Sequence, residues 1–321
     1  MRKVTDEEFI ATWSRTLSAA DTAKLLGISL RNVNSRRRYI EKKYDTVLRS
    51  DDKRSPDFKV VIPENGVRVK FELDNGVIIV GSDCHYWPGI ISTAHRAFVL
   101  FAKELKPAAI VLNGDVFDGA SISRHPPGGL WETVPNVKQE LEACRDRLAE
   151  LESASLNSKL HWTWGNHDLR FNTRLASQVG DGFKGIIGMN LTDHFPRWRF
   201  STSIMVNDHT MIKHRWHNGI HAIHNNILKS GCSFVTGHLH SLKVTPWTDY
   251  SAQGTRYGVD TGSLAEVNGQ QFSYSEDNPK NHRSGFAVLT FHNGKLLPPE
   301  LCEVIDDSAG EVYFRGCVFK V

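Results

Sequence analysis

The sequence carries little that could staple a fold covalently or place it in a membrane. Its 321 residues include five cysteines, Cys84, Cys144, Cys232, Cys302 and Cys317, widely scattered and without a C-x-x-C pair. That pattern gives no support to a zinc ribbon or a disulfide framework and fits reduced thiols in a reducing compartment. The N-terminal Met1-Arg-Lys-Val-Thr-Asp-Glu-Glu leads into no apolar run of signal-peptide length, and no stretch of about 18 apolar residues could span a bilayer. A cytoplasmic protein is the expectation. There is no internal repeat and no zipper heptad, so no oligomeric state is assigned. Charge of one sign is also scarce: the net charge is +3.

What is present is ordinary in bulk and uneven in detail. Forty per cent of residues are hydrophobic and 23% charged, as in a soluble globular protein of one large domain or two smaller ones. Residues 1–60 carry 14 Lys and Arg against 9 Asp and Glu, a net +5, while the remainder is −2. The positive excess lies at the N-terminus, where it could meet a polyanion.

The first 50 residues read as helices. Phe9, Ile10, Trp13 and Leu17 share one helical face. Ser18 can cap a second helix with Asp21 at its third position, Gly27 can end it in the left-handed conformation, and Ser29 can cap a third that buries Val33 and Ile40. This resembles a helix-turn-helix module. Its reading helix would present Arg31, Asn32, Asn34, Ser35, Arg36, Arg37 and Arg38 to phosphates or bases. The competing reading is a small helical hairpin that docks on its own protein or on a partner. Residues 49–66 are polar and turn-rich and read as a linker, which places a domain boundary near residue 60.

Beyond it, Val67 to Leu73 alternates with period two, Asp74-Asn75-Gly76 is a hairpin signal, and Val77 to Val80 is a buried strand. Helices are expected over about Ser92 to Leu105, Asn136 to Ala154 and Gly219 to Lys229. Strands are expected at Ala108 to Leu112, Leu160 to Trp164, Thr210 to His214 and Ser233 to Thr236. Leu169 to Phe200 is a mixed region rich in Gly and aromatics. Antiparallel strands follow, with a hairpin at His292-Asn293-Gly294-Lys295. The alternation is α/β, and in such sheets ligands sit at the carboxyl ends of strands.

Each of five strands ends on a polar cluster: Asp83-x-His85, Gly114-Asp115-x-x-Asp118, Gly165-Asn166-His167-Asp168, His214, and Gly237-His238-x-His240. Mixed imidazole and carboxylate suits Mn²⁺, Fe, Zn²⁺ or Ni²⁺ better than Mg²⁺ or Ca²⁺. In this order the five motifs resemble the calcineurin-like metallophosphoesterase superfamily over about residues 77–291. The resemblance implies two facing β-sheets flanked by helices and two divalent metal ions, with manganese favoured. It assigns Asp83, His85 and His240 to the first ion, Asn166, His214 and His238 to the second, and Asp115 to both. It makes His167 the catalytic histidine and Asp168 its orienting partner. The family usually has Gly after the fourth-motif His, where Arg215 stands here; His217 lies close by, and His214 is favoured because it ends its strand. Asp118 stands either behind the ligands or as a helix cap. Cys84 reads as a small packed residue. His95, His161, His217, His221, His224 and His292 read as structural or surface histidines.

Metal motifs fix a reaction class rather than a substrate. Three features lean towards DNA: the helix-turn-helix-like segment; the basic residues Arg170, Arg174, Lys184, Arg197 and Arg199; and a Gly119–Pro135 loop whose His125 and Trp131 could stack on a nucleotide. The combination resembles phage-encoded or bacterial DNA repair exonuclease-type phosphoesterases, which for a phage protein implies the host cytoplasm. The alternatives are a phosphoesterase acting on a small phosphate ester, such as a cyclic nucleotide, or on a phosphoprotein, with the N-terminal module docking a partner. A non-enzymatic DNA-binding protein would be expected to have lost ligands, and none is missing.

Overall fold

Helix caps define the N-terminal unit. The computed structural model describes residues 4–46, 48, 68–124, 132–275 and 281–321, and the chain divides into two compact units, Met1–Val60 and Val61–Val321. The expected linker and the His125 and Trp131 positions lie outside the described residues. In the first unit, Thr5, Ser18 and Ser29 cap helices α1 (Asp6–Thr16), α2 (Ala19–Leu26) and α3 (Leu30–Lys43). Each cap side chain accepts the backbone N–H three residues on. Gly27 ends α2 at φ 62°, a conformation that costs glycine nothing. Phe9, Trp13, Val33 and Ile40 form the core of this unit, and Asp6 ties α1 to α3 through Arg36 and Lys43.

The second unit is built on two sheets. A nine-stranded sheet contains β2 (Gly76–Gly81), β3 (Ala109–Leu112), β4 (Lys159–Thr163), β5 (Arg199–Ser201), β11 (Gly285–His292), β12 (Lys295–Leu296), β13 (Glu300–Asp306), β14 (Glu311–Phe314) and β15 (Cys317–Lys320). A six-stranded sheet contains β1 (Val69–Phe71), β6 (Ile204–Val206), β7 (Thr210–Ile212), β8 (Ser233–Thr236), β9 (Lys243–Thr248) and β10 (Thr255–Asp260). The run β2-β3-β4-β5 is parallel, and β11 closes it antiparallel.

Period two explains how β2 is buried on both faces. Ile78 and Val80 point into the layer between the sheets with Val111, Val235, Val259 and Leu289. Ile79 points the other way, into a core with Phe98, Phe101, Leu148, Trp162 and Phe286. That second core packs the sheet under α4 (Thr93–Leu105) and α5 (Val137–Ala154), capped by Ser92 and Asn136. Truncating Ile79 to Ala would cost about 2–5 kcal/mol as a cavity.

Two expectations about the elements change. Asp74-Asn75-Gly76 is not a hairpin turn, because β1 and β2 belong to different sheets and β1 pairs in parallel with β6. The Asn207 amide, which bonds both Leu73 N and Leu73 O, holds the end of that crossing segment. The region after His167 opens as a helix, α6 (Asp168–Gln178), and α7 (Ala222–Ser230) completes the set. The hairpin at His292–Lys295 is present, joining β11 to β12. Among the described residues, no helix is long and apolar enough to cross a membrane.

Candidate metal centre

The carboxyl ends of β2, β3 and β4 from one sheet and of β7 and β8 from the other converge on a single site. The loops that leave β2 and β3 are laced together by Asp83 N–H to Gly114 O (2.9 Å), His85 N–H to Asp115 O (3.0 Å) and Tyr86 N–H to Val116 O (3.1 Å). Five residues of these motifs sit at left-handed φ, uncommon outside glycine: Asp83 51°, His85 40°, Asp115 53°, His238 70° and His240 54°. Asp and His tolerate that region better than most, and the turns swing their side chains inward. Gly165 has no room for a side chain, because a Cβ there would collide with the Asp115 carboxylate and backbone nitrogen.

The side chains fall into groups small enough to close on a cation. Asp83, His85 and His240 form one, Asp115, His214 and His238 a second, and His85, Asp115 and His167 a third between them; within each, the ligand atoms lie within 4.8 Å of one another. Asn166 follows directly on Gly165, and its Oδ1 is buried without a hydrogen-bond partner among the described residues. His217 enters no such group among the described residues; it lies beside Trp216, and its backbone N–H bonds Asn226.

Outer contacts set the imidazole tautomers. His214 Nδ1 donates to Asn113 O at 2.7 Å, which turns the buried Nε2 towards Asp115 Oδ2, 3.2 Å away, as the nitrogen free to bind a cation. The nitrogen and the carboxylate oxygen need a cation between them, either a proton or a metal ion. Burial works against a charge on His214, but the Asp115 and Asp83 carboxylates override it and push its pKa up to about 10, so that without a metal a proton takes the cation's place on Nε2 against Asp115. Burial and the nearby His214 bring His238 down to about 4, so it is a neutral ligand. Burial raises the Asp83 and Asp115 carboxyls, yet the surrounding histidines hold both below the usual carboxylate range. The donor set therefore fits divalent cations: two anionic carboxylates, imidazole nitrogens and an amide oxygen.

The sequence matches the family described as calcineurin-like phosphoesterase over residues 76–261, a span that holds every ligand named above. The chain belongs to the calcineurin-like phosphoesterases. The phosphoesterase is 25% identical over 249 residues to the Gene 54 protein of Mycobacterium phage L5, covering 70% of this chain and 92% of that protein. Vps29 from Entamoeba histolytica, solved with zinc, is 13% identical with a TM-score of 0.39, covering 76% of this chain and 98% of that one. A novel archaeal phosphodiesterase is 12% identical with a TM-score of 0.36, covering 71% and 99%. The family uses a dinuclear divalent metal centre, and the phosphoesterase has the His and Asp groups for it.

Asp168 is not the orienting partner of His167. Its carboxylate is fully buried and accepts N–H groups from Asp115 (2.9 Å), Val116 (3.0 Å), Phe117 (3.1 Å), Gly165 (2.8 Å) and the Trp162 indole (3.0 Å). These five donors fill its lone pairs and fasten the β3 loop to the β4 loop. The partner of His167 is Asp118: His167 Nδ1 donates to Asp118 Oδ1 at 2.8 Å, and His85 Nδ1 donates to the same oxygen at 2.6 Å. Burial raises the Asp118 carboxyl, and these two histidines pull it well below the usual range.

Three further residues at the site were not singled out as site residues from the sequence. Arg170, one turn along α6 from His167, donates to Asp118 O at 2.9 Å and to His167 Nε2 at 3.0 Å. The i, i+3 spacing is the signal that could have found it. Phe272 lies 5.2 Å, centroid to centroid, from both His85 and His240, and His282 lies 4.6 Å from His240. No spacing in the sequence connects them to the motifs.

In the N-terminal unit the expected contacts divide. Arg36 pairs with Asp6 at 3.0 Å and lies over Phe9, and Arg37 pairs with Glu41 at 2.9 Å and lies over Trp13. These two brace the module while staying part-exposed. Arg31, Asn34 and Arg38, with Asn32 and Ser35, are exposed.

Proposed function

We propose that this protein is a dinuclear-metal phosphodiesterase that hydrolyses DNA. The observation that carries the substrate is the outer face of α3, where exposed Arg31, Asn34, Arg38 and Lys42 follow at i, i+3, i+7 and i+11 as one polar and cationic stripe. The phage relative supports a phage protein working in a host cell.

Asp83, His85 and His240 would hold one ion, Asn166, His214 and His238 the other, and Asp115 would serve both, with manganese the favoured metal. When bound, the ions supply Lewis acidity and make water nucleophilic at neutral pH. Asp118 keeps the proton on His167 Nδ1 and so presents Nε2 to the reacting ester. Arg170 neutralises phosphoryl oxygens, and the substrate draws its guanidinium off Nε2. Freed of Arg170, Nε2 takes up a proton from solvent, which the Asp115 and Asp118 carboxylates favour against the cost of burial. It hands that proton to the leaving alkoxide oxygen as water adds to phosphorus, the P–O bond breaks and the water's own proton passes to solvent. Buried Phe272 and half-buried His282 wall the first-ion side.

The test is hydrolysis by Mn²⁺-loaded protein of bis-p-nitrophenyl phosphate, p-nitrophenyl phosphate and labelled single- and double-stranded DNA, beside an Asp115→Ala control. Cleavage of the diester and of DNA, absent in the control, is expected. Cleavage of small esters with DNA untouched would overturn the DNA assignment. Replacing Arg31 and Arg38 with Ala should flatten the salt dependence of DNA binding by about two units of slope.

A further inference from the structure

A second cationic cleft lies at the β5 edge of the nine-stranded sheet. It encloses about 400 Å³ and is lined by Ser158, Lys159, Leu160, His161, Arg197 and Arg199. Since β4 and β5 are parallel with His161 in register with Arg199, the two side chains leave the same face. Lys159, two residues before His161 on the strand, shares that face. Lys159 opens β4 and Thr163 closes it, so the cleft lies about 13 Å along the strand from the end that carries the metal ligands.

Three facts about this cleft call for an anion. Among the described residues no carboxylate lines it. Arg197 is paired with Glu152 at 2.9 Å, but Lys159 only rests its ammonium 4.6 Å from the centroid of the Phe71 ring, and exposed Arg199 has no ion-pair partner among the described residues. His161 is 4% exposed, and neither ring nitrogen has a hydrogen-bond partner among the described residues. Buried polar groups are nearly always partnered, so a buried imidazole with both nitrogens idle marks a missing ligand. Burial, with Arg199 and Lys159, brings His161 down to about 4, so it enters as a neutral ring with an N–H to donate.

We propose that this cleft is an anion site for a phosphate group, separate from the metal centre. Lys159 and Arg199 supply the charge and His161 supplies the buried N–H. A phosphate suits it better than a carboxylate, because several oxygens can be met at once by donors that approach from different directions. The phosphate could be free, as inorganic phosphate, or part of a polynucleotide backbone. The assignment rests on the cleft itself and stands whether or not DNA is the substrate.

The experiment follows the His161 ring resonances by NMR in the metal-loaded full chain. Inorganic phosphate and a short single-stranded oligonucleotide are titrated separately against chloride of matched ionic strength. A saturable His161 shift is expected with phosphate, weakened about tenfold or more by Arg199→Ala and unchanged in Asp115→Ala. A shift with the oligonucleotide alone also supports the site and names a backbone phosphate as its source. No saturable shift with either ligand would overturn the proposal, as would a shift that survives Arg199→Ala intact or vanishes in Asp115→Ala. His161→Phe fills the same space without a donor; a phosphate-dependent rise in its melting temperature equal to the wild type's would also overturn it.

Discussion

Asp168→Asn is the sharpest test of how the centre is held. The carboxylate offers Oδ1 to the N–H groups of Val116 and Phe117, and Oδ2 to those of Asp115, Gly165 and the Trp162 indole. An amide has one oxygen, so its NH₂ must face either the pair or the trio. At least two hydrogen bonds to a charged acceptor are lost, each contributing about 1.5–3 kcal/mol, for a total of roughly 3–6 kcal/mol. Against a typical stability of about 5–15 kcal/mol that is a large fraction. For a domain of this size it lowers the melting temperature by at least about 6 °C. The assay is calorimetry of the metal-loaded full chain, with metal content measured beside it. Loosening the β3 and β4 loops should also lower metal occupancy, because Asp115 and Asn166 ride on them. The reasoning is refuted if the variant melts within about 1 °C of wild type and keeps its metal but loses turnover. That outcome would restore Asp168 as a partner of His167.

His167→Ala should keep both metals and lose turnover by about 10²–10⁴, whereas Asp118→Asn, which also touches His85, should weaken metal affinity by about 10–100-fold; metal titration followed by diester hydrolysis separates the two. Arg170→Ala should lower kcat/KM without moving the melting temperature, and Arg170→Lys should rescue it only in part because a compact ammonium lacks the planar fork that reaches Asp118 O and a phosphate from separate nitrogens. Glu140 is buried under the β3 loop and accepts Gly119 N at 2.6 Å and Ala120 N at 3.0 Å. Burial and the Asp118 carboxylate push it up to about 8 from 4.5, against the pull of those two N–H groups and Arg170. The native protein therefore retains a proton that the unfolded chain releases, and stability from this group falls as pH rises from 4.5 towards 8. Glu140→Gln should flatten that slope in urea midpoints taken between those limits, and an unchanged slope would show that other groups cause it.

How much of this was legible in the sequence depends on the length of the interaction. Local signals read well: Ser18, Ser29, Ser92 and Asn136 announce helix starts because a cap acts within four residues. The five metal motifs were legible because each ends a buried strand and shared chemistry ties them together. Asp118 and Asp168 were exchanged because both are acids near His167 in the motifs, and only the backbone trajectory decides which meets the ring and which meets a bundle of N–H donors. Likewise, Asp74-Asn75-Gly76 carries the chemistry of a hairpin, but sheet membership is set by contacts 134 residues away at Asn207. Arg36 and Arg37 looked outward by position and turn inward because Asp6 and Glu41 lie within reach.

The left-handed backbone at Asp83, His85, Asp115, His238 and His240 also bears on how an inactive enzyme should be made. Replacing such a ligand with Ala deletes the donor but leaves a Cβ in a region that favours glycine. Replacing it with Gly deletes the donor and relaxes the turn, a difference of about 1 kcal/mol per site. The usual preference for alanine is thus reversed here. Asp115→Gly or His238→Gly would give the sturdier silent enzyme, and so the better vessel for capturing a bound, uncleaved substrate.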